Sequence, residues 1–167
     1  MLILVCGLPG TGKSSFSKEL AKKIDGIHIN SDIVRKKMFP NPTYTIEEKT
    51  QVYSRLKKET RDYLAKGKIV ILDATFYQNQ YRNMMSSTAE SLGEKYYFVL
   101  CTLPEKEIEQ RLKRRKSNVS DADYNVYLKL RDIFEPIEGR HLTIDMLLPL
   151  KKRVAIVNEF IGGKNEW

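Results

Sequence analysis

A three-layer α/β fold, with a five-stranded parallel sheet and helices on both of its faces, is what this sequence predicts. Two observations carry that reading. Short runs rich in apolar and β-branched residues alternate with longer helical patterns, and those helical patterns have readable ends. Strands separated by helical crossovers build a parallel sheet, and the right-handed crossover rule distributes the helices over both faces.

The elements follow in order. Leu2-Ile3-Leu4-Val5-Cys6 is a continuous apolar run, as expected of a strand buried on both faces. A helix beginning near Lys13 carries Ser17, Leu20, Ala21 and Ile24 on its apolar stripe. Gly26-Ile27-His28-Ile29 is a weaker strand. Thr45-Ile46-Glu47-Glu48 has capping-box spacing and opens a helix with Tyr53, Leu56, Thr60 and Tyr63 or Leu64 on one face. The third and fourth strands are Ile69–Leu72 and Tyr96–Cys101. Ser120-Asp121-Ala122-Asp123 is a second N-terminal cap, ahead of Tyr127, Leu130 and Phe134, and His141–Ile144 is the last, weaker strand. Gly26, Gly67 and Gly93 stand between a helical pattern and a strand, where a left-handed C-cap belongs. Pro40, Pro42, Pro104, Pro136 and Pro149 all fall at proposed boundaries.

Composition narrows the class. A chain of 167 residues suits one domain, residues 1–167, with a single sizeable core. Hydrophobic residues at 41% and charged residues at 30% argue against disorder. No apolar run approaches the roughly 20 residues that span a bilayer. Met1–Cys6 lacks a basic leader and meets a glycine turn at once, unlike a signal peptide. Cys6 and Cys101 make no disulfide framework or cysteine metal site, and both read as buried core thiols. With His28 and His141 the only histidines, a histidine zinc site is disfavoured, and His28 reads as a core residue of the second strand. The expectation is a soluble, cytoplasmic protein with no membrane partner. Its net charge of +8 fits either solvated lysines on helix faces or a polyanionic partner, nucleic acid included.

The sharpest signal is Gly7-Leu8-Pro9-Gly10-Thr11-Gly12-Lys13-Ser14, which matches G-x-x-x-x-G-K-[ST] and sits between a strand and a helix. Glycines there let successive backbone N–H groups converge on phosphate oxygens. Lys13 reaches the β- and γ-phosphates, the Ser14 hydroxyl ligates Mg²⁺, and the helix behind them aims its positive end at the same anion. Gly7, Pro9, Gly10, Thr11, Gly12, Lys13, Ser14 and Ser15 are therefore the expected ATP-binding residues, within a P-loop NTPase fold.

On these residues the chain resembles a P-loop kinase. Asn30-Ser31-Asp32-Ile33-Val34-Arg35 resembles the D-x-x-R element of polynucleotide 5′-kinases, which implies that Asp32 is the general base and Arg35 holds an acceptor phosphate. Asp73-Ala74-Thr75 resembles that family's D-x-[TN], and Arg111-Leu112-Lys113-Arg114-Arg115 resembles its lid entry, carried on Arg111 and Arg115. Ser120–Phe134, running into Glu135-Pro136, is similar to the AAA-type ATP-binding group of small kinases, and the kinase domain of seryl-tRNA kinase has similar features. The resemblance implies a helical lid over approximately residues 104–134.

The same residues have a chemical reading of their own. Asp32 lies at the carboxyl edge of the sheet, where α/β folds bind ligands, and can accept a hydroxyl proton or simply favour a helix N-terminus. Asp73 ends an apolar strand, as Mg²⁺-associated carboxylates do, and its contact with the ion is expected through water before direct ligation. Thr75 and Arg82 are candidate acceptor contacts, or an ordinary loop threonine and an exposed helix arginine. Arg111 and Arg115 share one helical face and can neutralise charge on a transferring phosphate. Phe76, Tyr77 and Tyr81 can stack on a base or pack.

The expected activity is ATP- and Mg²⁺-dependent transfer of the γ-phosphate to a hydroxyl. A polynucleotide or nucleotide acceptor ranks first, ahead of a small metabolite. The alternatives are a regulatory ATPase without an acceptor, and a nucleic-acid-binding protein that retains a nucleotide site.

Overall fold

Leu2, Ile3, Leu4, Val5 and Cys6 are all at 0% exposure, which only the middle of a sheet covered on both faces allows. A computed structural model describes residues 1–114 and 121–162. Its strands are β1 (Leu2–Cys6), β2 (Ile27–Asn30), β3 (Val70–Asp73), β4 (Tyr96–Thr102) and β5 (His141–Asp145). Its helices are α1 (Lys13–Lys23), α2 (Ser31–Met38), α3 (Ile46–Leu64), α4 (Asn79–Glu90), α5 (Glu105–Arg114), α6 (Tyr124–Asp132) and α7 (Leu150–Phe160). No helix among the described residues is long and apolar enough to cross a membrane.

All strand pairs are parallel, in the order β2-β3-β1-β4-β5, with Leu4 opposite Leu72 on one side and Phe98 on the other. The expected three-layer α/β fold and five-stranded sheet are therefore present. From β1 the chain builds toward β2 and β3, then crosses to β4 and β5. That switch opens a crevice at the carboxyl end of β1, where open α/β sheets bind ligands.

Strand alternation sorts β1 between two cores. Leu2, Leu4 and Cys6 join Val52, Leu56, Phe76 and Met85 beneath α3 and α4. Ile3 and Val5 join Phe16, Leu20, Val99 and Val154 beneath α1 and α7. A third cluster, Ile108, Leu112 and Tyr127, holds α5 against α6, with Leu8 packed on it.

Three local expectations change. Gly67 and Gly93 are left-handed, with φ of 70° and 68°, but at the third position Asp25 takes the left-handed turn with φ of 50°. Gly26 is required for space: a Cβ there would lie 2.3 Å from Ile71 Cδ1. Thr45 caps α3 by accepting from Glu48 N, while the Glu48 carboxylate turns away from the expected reciprocal bond to Thr43 and Arg35. Phe134 lies beyond the end of α6.

Leu4→Ala is expected to lower unfolding free energy by about 2–5 kcal/mol, because the site is sealed on both faces. Lys58→Ala, on the exposed face of α3, should change it by no more than about 0.5 kcal/mol. Urea unfolding of the two variants tests the assignment of the core.

Candidate active site

The carboxyl end of β3 places Asp73 at 0% exposure, directly opposite Asn30 at the end of β2. Its Oδ2 accepts from Asn30 Nδ2 at 2.6 Å and lies 3.2 Å from His28 Nε2. Asn30 also caps α2: its Oδ1 accepts from the Asp32 and Ile33 N–H groups, both at 3.0 Å. With that oxygen turned to the helix, the amide nitrogen faces Asp73 and also reaches Ser14 Oγ at 3.2 Å. One side chain thus joins β2, the start of α2, the end of β3 and the start of α1. Burial by itself would push the Asp73 carboxyl up, but His28, Lys13, Ser14 and Asn30 outweigh it and hold it below the ordinary carboxylate value.

Asp73 Oδ1 is buried and has no hydrogen-bond partner among the described residues. An orphaned carboxylate oxygen beside a serine hydroxyl fits Mg²⁺, which takes one or two carboxylates together with phosphate and water oxygens. Ser14 and Asp73, the two residues expected to hold the metal, are therefore brought together.

The phosphate loop is built as its sequence requires. The Gly7 N–H bonds to Thr75 O at 3.3 Å, and Thr11 Oγ1 donates to Leu8 O at 2.8 Å, which closes the loop on itself. Gly10 and Gly12 have φ of 83° and 88°, a region open to glycine. Gly10 also lies against α5, since a Cβ there would meet Ile108 Cγ2 at 2.9 Å. Gly12 caps α1, whose first residue is Lys13, with Nζ 3.4 Å from Leu8 O. Arg111 reaches the same loop from α5, with Nη1 3.4 Å from Thr11 O. Arg115 lies outside the described residues.

Two hollows meet at this loop. A groove of about 820 Å³ follows the outer side of Gly10–Ser15 and α1. A cavity of about 440 Å³ is lined by Pro9, Lys13, Ser14 and Asp73. Asp32, Thr75, Tyr77 and Lys49 also line it, together with Tyr44, Asp121, Val126 and Leu130. Asp121 takes hydrogen bonds from Lys36 Nζ, at 2.8 Å, and from the Tyr44 hydroxyl, so the residues ahead of α6 touch α2 and the loop before α3.

Two expected acceptor residues are placed elsewhere. Arg35 forms a half-hidden ion pair with Glu48, its guanidinium 4.8 Å from the Tyr44 ring centre, and it does not line the cavity. Arg82 is a buried arginine at 1% exposure, where an acceptor contact or an exposed helix residue was expected. Its guanidinium donates to the carbonyls of Phe76, Glu135 and Pro136 and to Asn79 Oδ1, which ties α4 to the segment after α6. A guanidinium with five donors satisfies several carbonyls that the fold would otherwise bury unpaired. Of the three aromatics after Asp73, Phe76 and Tyr81 are in the core, where Tyr81 stacks on Tyr53 at 3.9 Å, and Tyr77 alone lines the cavity.

Sequence reasoning missed three participants. Asn30 carried a signal, since an asparagine at a strand-to-helix boundary is a cap, but its second role has none. His28 was expected to be plain core and instead contacts Asp73. Lys49 gave no sign at all. Its ammonium donates to Tyr77 Oη at 2.6 Å and to Gln78 Oε1, and sits 4.0 Å and 4.5 Å from the Tyr77 and Tyr81 ring centres. Burial, then the nearby Arg35 charge, lowers its pKa to about 8, with Glu135 opposing more weakly.

Comparison with known proteins agrees with this geometry. The sequence model of the family described as AAA domain matches residues 2–137. L-seryl-tRNA(Sec) kinase of Methanococcus maripaludis is 30% identical over 114 residues, a match covering 62% of this chain and 42% of that protein. The chain thus spans under half the length of that relative. The APS kinase CysC of Mycobacterium tuberculosis, in complex with AMPPNP and APS, superposes with a TM-score of 0.74 at 16% identity, over 96% of both chains. Kti12 of Chaetomium thermophilum, in complex with ADP-AlF3, superposes with a TM-score of 0.75 at 17% identity, over 98% of this chain and 100% of that one. Both likenesses are of fold.

Asn30→Ala removes the α2 cap and the amide donor to Asp73, and should cost about 1–3 kcal/mol of stability. Asn30→Asp is an equally good cap but sets a second carboxylate against Asp73, so it should remain destabilised. Unfolding both variants in the presence of a chelator separates the two roles; native stability in Asn30→Asp would mean that the amide bridge contributes nothing.

Proposed function

The chain belongs to the AAA-domain family, and from that premise we propose that it is an ATP-dependent phosphotransferase that moves the γ-phosphate of ATP to an alcohol. The observation that carries this reading is one cavity of about 440 Å³ lined both by Lys13, Ser14 and Asp73 and by Asp32, Thr75 and Tyr77. Phosphate chemistry and room for a second substrate share one enclosed space. A nucleotide-driven switch needs only the first.

In this mechanism the N–H groups of Gly10–Ser15 and the positive end of α1 bind the triphosphate. Lys13 turns from Leu8 O to the β- and γ-phosphates. Ser14 and Asp73 would hold Mg²⁺, which would supply positive charge to the phosphate oxygens. Asp32 orients the acceptor hydroxyl and takes its proton as the oxygen attacks the γ-phosphorus. The new O–P bond forms, the bond from the γ-phosphorus to the β,γ-bridging oxygen breaks, and ADP leaves. Arg111, already against the loop, stabilises the charge on the transferring group, with Arg115 as its partner on the R-x-x-x-R spacing. The helices α5 and α6 form the lid.

Lys13→Ala should fold normally yet bind AMPPNP at least about tenfold more weakly, because a charged donor to phosphate is lost. Asp32→Asn should keep AMPPNP affinity while transfer from labelled ATP to a hydroxyl acceptor falls by about 10²–10⁴-fold. Titration calorimetry and an acceptor screen read the two effects separately. Transfer at the native rate in Asp32→Asn would reduce Asp32 to a helix-capping residue, and acceptor-independent hydrolysis in both proteins would favour the switch.

A further inference from the structure

The mechanism leaves Lys49 without a task, although it lines the cavity beside Thr75 and Tyr77. Among the described residues its ammonium touches only neutral groups: the Tyr77 hydroxyl, the Gln78 side-chain oxygen, and the Tyr77 and Tyr81 rings. Glu135, the carboxylate that acts on it from a distance, is engaged with the Asn79 N–H. A half-buried cation held by dipoles and π-faces alone, in a wall that faces a hollow, gains most from an anion placed in that hollow.

Among the described residues the other cations near this part of the cavity are committed elsewhere. Arg35 is paired with Glu48, and Arg82 is surrounded by carbonyls; neither lines the cavity. Lys36 is paired with Asp121. Building on the phosphotransferase reading, we propose that Lys49 anchors an anionic group of the acceptor, which is therefore a small alcohol bearing a carboxylate or phosphate. Asp32 receives the hydroxyl end and Lys49 the anionic end, so opposite charges fix which hydroxyl meets the γ-phosphate. The walls favour a small molecule over a polynucleotide. Asp121 is bonded to Lys36 of α2 and to Tyr44, and Tyr44, Asp121, Val126 and Leu130 all line the cavity, so a polymer strand entering past them would have to part these contacts.

Matched acceptors that differ in the anionic group test this directly: glycerate against glycerol, gluconate against glucose, and adenosine 3′-phosphate against adenosine. Each is offered with labelled ATP and Mg²⁺, and each is titrated onto the AMPPNP-bound protein by calorimetry. The native protein should favour the anionic member of at least one pair by about tenfold or more, in KM and in Kd. Lys49→Met should abolish the preference through KM, with kcat for the anionic member changed much less, and Lys49→Arg should restore it in part. Thermal unfolding establishes that both variants are folded, and the Arg variant carries the test if the Met variant is not. Selective binding of the anionic member that depends on Lys49 supports the proposal even without transfer, in which case it is the phosphotransferase reading that fails. Transfer with equal preference within every pair, a preference that survives Lys49→Met, or failure of every anionic member to bind overturns the proposal. Preferential use of a 5′-hydroxyl oligonucleotide over all the small anions overturns it as well.

Discussion

Asp73 holds a carboxylate at 0% exposure, and the rest of the site is arranged around that fact. Isolating such a charge from water costs several kcal/mol unless hydrogen bonds and opposite charge offset it. The offset comes from two elements at once: His28 and Asn30 from β2, and Lys13 with Ser14 from the start of α1. Because Asn30 also caps α2, the charge on Asp73 is linked through it to the start of the helix that carries Asp32. Among the described residues Oδ1 has no partner, and it is the remaining unsatisfied point of this arrangement.

The basic residues divide by chemistry. Arginine, planar and rich in donors, serves here as a tie between elements. Arg35 joins α2 to α3 through Glu48, and Arg82 joins α4 to the chain that follows α6. Breaking a buried pair of the first kind strands its partner's charge. Lysine, a compact charge on a flexible stem, is what lines the cavity among the described residues: Lys13 in the glycine-rich loop and Lys49 beside Tyr77. A net charge of +8 said only that cations were plentiful. Their partners decide which of them can meet a ligand.

Much of the fold was legible from the sequence for a local reason. A strand buried on both faces must be apolar throughout, and β1 is; helix ends announce themselves through Thr45, Asp123 and Pro149. The errors were equally physical. Gly26 looked like a left-handed cap because glycine has two uses, and only the approach of Ile71 reveals which applies. His28 looked like core because its strand is short and apolar on either side, whereas its ring nitrogen meets a carboxylate from another strand.

The sequence by itself determined the phosphate loop between the first strand and first helix, since that chemistry resides in consecutive backbone groups from Gly7 to Ser14. Parallel strand order was equally within its reach, as helical crossovers permit little else. Only the tertiary structure decided which charges face the cavity. Arg35 finds Glu48 at a separation of 13 residues, Asn30 finds Asp73 at 43, and Arg82 finds the Glu135 carbonyl at 53. No local pattern encodes such pairings, because a side chain's availability depends on what folding brings beside it.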